Sequence, residues 1–300
     1  VFVYEILDMY TPSRKPLVKP SQGVHLVLDE SFLKGEKALM IPKTSDGRVL
    51  FAVPWHKHVL LGTTDTPLAN HSLEPVPLQE EIAFILNTVK KYLVPSPERK
   101  DVLSVFAGLR PLAASEDDTT STKEISRSHK IFVSKSGLLT IIGGTWTTYR
   151  KMAEDTINRI RAIAGLAAAE CSTAGLKIHG FSNNKDDSPL SIYGTDRIHI
   201  EALAALNPEL KHKLHERLPY IQAEVIWAVK HEMAVTVEDV LARRLRALFL
   251  DAKAAIDMAP QVASLMAHEL NLDKQWEQKQ VISFSVLANQ YLLEPYSPVK

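Results

Sequence analysis

Apolar and polar positions follow two styles along the chain, and the change falls near residue 176. Up to that point short apolar runs of strand length alternate with turns. Val24–Leu28, Ala38–Ile41, Val49–Val53 and Val59–Gly62 are all rich in β-branched or large aliphatic residues. Asp46-Gly47 lies between two of them as a hairpin signal, because both residues tolerate positive φ, and Trp55–Lys57 marks the next turn. The pattern predicts an antiparallel meander. Leu78, Ile82, Ile85, Leu86, Val89 and Leu93 then share one helical face, which Pro95 and Pro97 stop. Strands return at Val102–Leu109, Ile131–Val133 and Leu138–Ile142, around a polar loop over Ala113–Ser128. Gly143-Gly144 closes the last strand, and Thr147 to Ala164 reads as a helix. At the other end, Val1-Phe2-Val3-Tyr4 reads as a strand entered part-way, so the chain is expected to be a fragment.

Gly175, Gly180, the polar run Asn183–Asp187 and Pro189 form a linker, and beyond it the period is helical almost throughout. Thr236 with Asp239 makes a capping-box-like start, and Val237, Val240, Leu241, Leu245, Leu248 and Phe249 follow as one apolar stripe. Further helices are expected over Pro260–Leu270 and Asp273–Leu293, the second opened by Asp273 as N-cap. Two domains are therefore expected, 1–175 and 176–300. The fold class is α+β, an antiparallel β-rich region followed by an all-α domain that supplies no catalytic side chain.

Charge narrows the function classes. Lysine plus arginine and aspartate plus glutamate each number 35, a formal net charge of zero, which argues against nucleic-acid binding through a basic excess. The 45% hydrophobic content supports a packed core rather than a disordered chain. Cys171 is the single cysteine, so neither an intrachain disulfide nor a Cys-rich zinc site is available. No apolar run approaches the ~20 residues of a membrane helix.

The junction Gly143-Gly144-Thr145-Trp146-Thr147-Thr148 is the strongest chemical signal. Two glycines let backbone approach a ligand, and the helix that follows presents free N–H groups and its positive dipole end. Such an end stabilises a phosphate or the pyrimidine side of a reduced flavin. A plain strand–turn–helix corner capped by threonine has the same residues. Arg110, set among Leu109, Pro111 and Leu112, wants a partner. A planar guanidinium suits a phosphate or carboxylate, although an ion pair with a nearby Asp or Glu is the commoner role. Arg127 reads alone as a surface charge, and only with Arg110 as an anion clamp. His25 lies among apolar neighbours, where histidines are more often core residues than bases. His56-x-His58 lacks a third ligand at metal spacing, and His212-x-x-His215 is expected on a basic exposed helix, so no metal site is expected. Arg243-Arg244 reads as a solvated helix face, open to a partner or lipid contact. No G-x-G-x-x-G fingerprint and no phosphate-loop lysine occur.

Taken in order, Pro20-Ser21-Gln22-Gly23-Val24-His25, Pro54-Trp55, Gly62-Thr63-Thr64-Asp65, Ala107-Gly108-Leu109-Arg110-Pro111-Leu112, Ile125-Ser126-Arg127 and Gly143–Thr156 form a recognisable set. With Thr236–Arg244 from the helical half, it resembles the FAD-dependent glycerol-3-phosphate dehydrogenases. The resemblance implies the β-rich substrate region of an amino-acid-oxidase-like flavoprotein, followed by that family's helical C-terminal domain. The ADP half of FAD would be held by an N-terminal dinucleotide-binding segment missing from this chain, so the chain alone is expected to retain no FAD and no activity. The whole enzyme would oxidise sn-glycerol 3-phosphate to dihydroxyacetone phosphate, passing hydride to FAD and electrons to membrane quinone. It would be cytoplasmic, peripheral on the inner face of the membrane, and compatible with a homodimer. Two alternatives stay open: an oxidase that returns electrons to oxygen, and a non-catalytic helical interaction module that keeps a degenerate flavoprotein region. Carried over by motif, Arg110 and Arg127 would bind the substrate phosphate and His25 would lie near the C2 hydroxyl as base or hydrogen-bond partner. Gly143, Gly144, Thr145, Trp146, Thr147 and Thr148 would face the flavin, with Thr145 also beside the substrate. Thr145 stands where many members of the family carry lysine, so a cation is missing from that place. The two arginines would then converge on one pocket that opens toward Gly143–Thr148, with His25 on its wall.

Overall fold

The computed structural model describes residues 3–10, 17–44, 47–70, 72–113, 128–183 and 186–296. Along the first part run α1 (Val3–Tyr10), β1 (Val18–Asp29), β2 (Leu39–Ile41), β3 (Leu50–Trp55), β4 (His58–Gly62), β5 (Thr66–Pro67), α2 (Gln79–Val89), β6 (Ser104–Ala113), β7 (His129–Val133), β8 (Leu139–Gly143) and α3 (Tyr149–Ala164). Helices α4 (Arg197–Leu206), α5 (Gln222–His231), α6 (Ala247–Leu250), α7 (Ala252–Leu270) and α8 (Lys274–Ala288) follow. The architecture is α+β, with antiparallel strand pairs and then helices. Its contacts divide into two compact units. One holds Val1–Val24, Thr63–Val76 and Ala107–Lys177; the other holds His25–Gly62, Pro77–Phe106 and Ile178–Lys300.

In the first unit Ser21 and Gln22 of β1 pair with β5, and β7 pairs with β8 from His129↔Gly143 to Val133↔Leu139. Val18, Ala113 and Ile142 form a small buried cluster that Val3 and Leu17 cover. The chain start departs from expectation. Val3 opens a helix, not a strand, because Val3 and Leu7 stand one helical turn apart and Leu7 is buried. A β-branched run is a weaker determinant than a face that finds a core. The polar loop over Ala113–Ser128 falls almost wholly outside the described residues.

In the second unit the later half of β1 pairs with β4 from His25↔Gly62 to Asp29↔His58, β4 pairs with β3, and β3 with β2. This is the expected meander. The β3–β4 hairpin turns on His56 and Lys57, both at positive φ (48° and 59°), the backbone of a two-residue type I′ turn. Asp46 lies outside the described residues, but Thr44 N–H donates to the Arg48 carbonyl across that turn at 3.0 Å. The stripe Ile82, Ile85, Leu86 and Val89 is buried on α2 as its spacing predicts.

The helical residues build the larger core, around Leu241, Val262, Met266 and Phe284. Thr236 and Asp239 cap each other: Asp239 N–H donates to Thr236 Oγ1 at 3.1 Å, and Thr236 N–H to Asp239 Oδ2 at 3.0 Å. Asp273 caps α8 through Trp276 N–H at 2.8 Å. Two local differences follow from what a period cannot encode. The stripe from Val237 to Phe249 is not one α-helix but a π-helical turn over Asp239–Arg244, then Arg246 at φ 61°, then α6. A one-residue bulge preserves the same buried face. Pro260, read as a helix start, lies inside α7, which Asp251 begins by accepting from Ala254 N–H at 3.0 Å.

Glu224 shows which force wins in this core. Its carboxylate accepts from Ile221 N–H at 2.7 Å and from Tyr193 Oη–H at 3.0 Å, both favouring the charged form. Burial opposes them and prevails, raising its pKa to about 7. The folded-state value lies above the unfolded one, so the native state binds the extra proton between about pH 4.5 and 7. Stability is therefore expected to fall as pH rises through that window, by roughly 2–4 kcal/mol from this group. Glu224→Gln removes the titrating proton while keeping one of the two acceptors, and should flatten the loss. Urea unfolding of the two proteins at pH 5 and pH 8 checks this; equal slopes would rule it out.

Candidate functional site

The Gly143–Tyr149 corner forms as its residues dictate. Gly143 and Gly144 take φ of 72° and 78°, where a side chain would be strained. A Cβ on Gly143 would also stand 2.8 Å from the Ser128 carbonyl, and one on Gly144 would run into the Met152 side chain. Thr145 then caps a 3₁₀ turn over Trp146–Thr148 that leads into α3. Its N–H donates to Thr148 Oγ1 at 3.2 Å, and its hydroxyl lies 3.0 Å from that of Thr147. Trp146, 85% exposed, stacks on Tyr149 at 5.4 Å.

Arg110 faces this corner. It lies on β6, and with Leu109, Pro111, Leu112, Gly143, Gly144, Thr145, Trp146, Tyr149 and Met152 it lines a pocket of about 430 Å³. Of these described residues only Arg110 is charged, and most of the wall is apolar. The guanidinium has two side-chain acceptors from one segment. Nη1 lies 3.5 Å from Asp65 Oδ1, and Nη2 donates to Thr63 Oγ1 at 3.2 Å. The buried Ser21 hydroxyl donates to the same Asp65 oxygen. Against the group lies Gly23, whose absent Cβ would stand 2.5–2.8 Å from Nη2, Nη1 and Cζ. Arg127 lies outside the described residues.

His25 belongs to the second unit. It is half-buried and stacks on Phe106 at 5.4 Å, and Phe106 meets Phe249 edge-on at 5.0 Å. Gly62 sits opposite His25 in the β1–β4 register, and the imidazole occupies the space of its missing Cβ. Of the remaining histidines, His179, His199 and His231 line one pocket of about 630 Å³, the last two stacked on Trp227, and they take no part in the Arg110 pocket. His212 follows a 3₁₀ turn rather than lying on a helix, and His215 faces Asp257 at 3.7 Å. Among the described residues no three His, Cys, Asp or Glu side chains are grouped to hold a metal. Arg243 and Arg244 are paired rather than merely solvated: Arg243 with Glu238 and Asp239, Arg244 with Asp239 and the Glu232 carbonyl.

Ser21, Thr63 and Asp65 are the site residues that sequence reasoning named only as motif letters. Half of the signal was present, since an arginine in an apolar setting requires an anion, but no local feature marks Asp65 as that anion.

Comparison with known proteins shows the family. Residues 2–150 match the model of the FAD dependent oxidoreductase family, and residues 135–277 match that of the C-terminal domain of alpha-glycerophosphate oxidase. The mitochondrial glycerol-3-phosphate dehydrogenase of Homo sapiens is 38% identical over 306 residues, 93% of this chain and 41% of that protein. The Bos taurus enzyme is 39% identical over 283 residues, 86% of this chain and 38% of its own length. The crystal structure of the glycerol-3-phosphate dehydrogenase from Bacillus halodurans, complexed with FAD, superposes with a TM-score of 0.78 at 26% identity. It is matched by 99% of this chain, over 62% of its own.

The chain belongs to the FAD-dependent glycerol-3-phosphate dehydrogenase family. It spans about two fifths of the length of the curated relatives it matches (41% and 38%). FAD is the cofactor of the family, and the residues present fit one end of it. Bare glycine backbone, threonine hydroxyls and the start of a 16-residue helix suit the polar edge of the flavin ring, while Trp146, Tyr149 and Met152 suit its apolar faces. The ADP half finds no glycine fingerprint in this chain.

Because the His25 ring fills the space above Gly62, Gly62→Ala should cost about 1–3 kcal/mol of stability. In a His25→Ala background the same change should cost under ~1 kcal/mol, since the colliding group is gone. Chemical denaturation of the four proteins measures both. An equal cost in the two backgrounds would place the cause elsewhere.

Proposed function

We propose that the protein of which this chain is part oxidises sn-glycerol 3-phosphate to dihydroxyacetone phosphate. The observation that carries this is one fixed cation, Arg110, on an apolar pocket shared with the Gly143–Trp146 turn at the start of α3. The arrangement suits a small phosphate ester laid against a flat ring. Arg110 takes the phosphate, with Arg127 as its second cation. His25 receives the C2 hydroxyl proton. The Thr145–Thr148 hydroxyls and the helix start stabilise negative charge on the ring edge. When bound, FAD supplies the two-electron acceptor for the C2 hydride. With Thr145 in place of a lysine, charge at this corner comes from the helix end and not from a side chain.

In this reading the dehydrogenase branch uses the quinone pool, reached peripherally from the cytoplasmic face of the membrane. The relatives named above are dehydrogenases, which supports it. Among the described residues no helix is long and apolar enough to cross a membrane. A second reading, an oxidase returning electrons to oxygen, is favoured by the family model's own description of residues 135–277. Oxygen uptake without added quinone separates the two.

Helix α3 supports a further part of the proposal. None of its residues is buried, and Tyr149, Ile157, Ile160 and Ile163 are 55%, 53%, 39% and 52% exposed. A dinucleotide-binding segment that carries the ADP half of FAD is proposed to cover that stripe. Residues 1–175 then cover flavin and substrate, and residues 176–300 serve as the helical domain.

The decisive experiment is anaerobic addition of glycerol 3-phosphate to the flavin-loaded protein, which should bleach the visible flavin absorbance; an unchanged spectrum would refute the activity. Residues 1–300 purified alone should be colourless, and a yellow product with near-stoichiometric flavin would contradict the proposed division. Arg110→Ala in the loaded enzyme should raise KM about 30-fold or more with a smaller change in kcat, because phosphate contacts are largely shared by ground and transition states.

A further inference from the structure

The segments Ser21-Gln22-Gly23 and Thr63-Thr64-Asp65 stand far apart in sequence and meet at one group, the Arg110 guanidinium. The contacts come from every direction. Asp65 Oδ1 lies 3.5 Å from Nη1 and Thr63 Oγ1 accepts from Nη2 at 3.2 Å. The Gly23 backbone lies against the Nη1/Nη2 end of the group, since a Cβ there would stand 2.5, 2.7 and 2.8 Å from Nη2, Nη1 and Cζ. Asp65 is in turn held by Ser21, whose hydroxyl is fully buried and donates to the same oxygen. Thr64 ties the two segments together, accepting from Val24 N–H at 2.9 Å. We infer that Asp65 is a positioning residue: it sets the plane of the arginine that receives the phosphate, with Thr63 and Gly23 completing the cradle. This rests on the phosphate-binding role proposed above for Arg110.

The physical case is entropy and angle. An arginine side chain has many rotamers, and freezing it on ligand binding weakens affinity. A guanidinium has five N–H groups in a rigid fork, so anchoring two of them orients the others. An ion pair kept only for stability has no need of a glycine packed against the guanidinium. A carboxylate near a phosphate site also carries an opposite tendency, since its charge repels the ligand. The two effects have opposite signs in KM, which makes the role measurable.

The test is steady-state kinetics of the flavin-loaded enzyme with glycerol 3-phosphate, and with glycerol, which lacks the phosphate. Asp65→Ala should raise KM for glycerol 3-phosphate about 10-fold, with kcat within about 2-fold and glycerol turnover unchanged. Asp65→Asn retains the acceptor oxygen and should stay within about 3-fold of the parent KM. With Arg110→Ala already present, Asp65→Ala should add no further loss. A KM that falls in both Asp65 variants would show that the carboxylate competes with the phosphate, and would overturn positioning. Additive losses in the double variant would overturn it as well. If Arg110→Ala raises KM and Asp65→Ala does not, only the positioning role fails; if Arg110→Ala leaves KM unchanged, the phosphate reading fails and positioning with it. Thermal midpoints are measured alongside. Should Asp65→Ala not fold, Thr63→Val replaces it: a raised KM at unchanged kcat supports the cradle, and an unchanged KM overturns it.

Discussion

A guanidinium drawn partly out of water must find an anion, a second acceptor and backbone it can lie against, and in this chain two distant segments converge on Arg110 to supply them. Arg110 is 26% exposed and its partner Asp65 is 17% exposed, so neither charge is fully solvated and neither is sealed. Around that pair the first unit is organised. Ser21 of β1, Thr63 and Asp65 after β4, and Arg110 on β6 are brought within reach by strand pairing, and Gly23 is small because the arginine lies against it. Intermediate burial suits a binding arginine. Full burial would make the pair expensive to open, whereas full exposure would leave its orientation unset.

Close approach, rather than flexibility, explains the glycines that matter. Gly23 and Gly62 both have ordinary backbone angles, yet each lies tightly against a side chain, Arg110 in one case and His25 in the other. Gly143 and Gly144 differ, because their positive φ angles turn the chain from β8 into the start of α3. That turn leaves Thr145 and the first residue of α3, Tyr149, on the wall of the Arg110 pocket. On the other unit, His25 rests on Phe106, which rests on Phe249, so the aromatic packing beneath the histidine continues into the helical residues. The helical residues thus help support the strand that carries His25.

Much of this was legible in the residues. The β2–β4 meander, the α2 stripe, the glycine pair followed by a helix, the Thr236–Asp239 cap and the Asp273 cap all follow from periods and local hydrogen-bonding chemistry, which act over a few residues. The ordered motifs led to the family, and Arg110 was singled out because an arginine between leucines and a proline demands a partner. The partner's identity was another matter. Asp65 lies 45 residues from Arg110, and nothing local distinguishes it from other carboxylates.

What the sequence determined by itself, then, was the kind of element at most positions, the α+β class and the candidate chemistry, because these depend on side-chain pattern and short-range caps. Tertiary structure decided which groups meet: Asp65, Thr63 and Gly23 at Arg110, Phe106 and Gly62 at His25. It also decided the helix at Val3, the π-helical turn at Asp239–Arg244 and the high pKa of Glu224. Each of these depends on what surrounds a residue once the chain has closed on itself, and a buried carboxyl or a bulged turn carries no local mark. The physical reason is range: periodicity records the face an element presents, while contact partners and desolvation are properties of the packed whole.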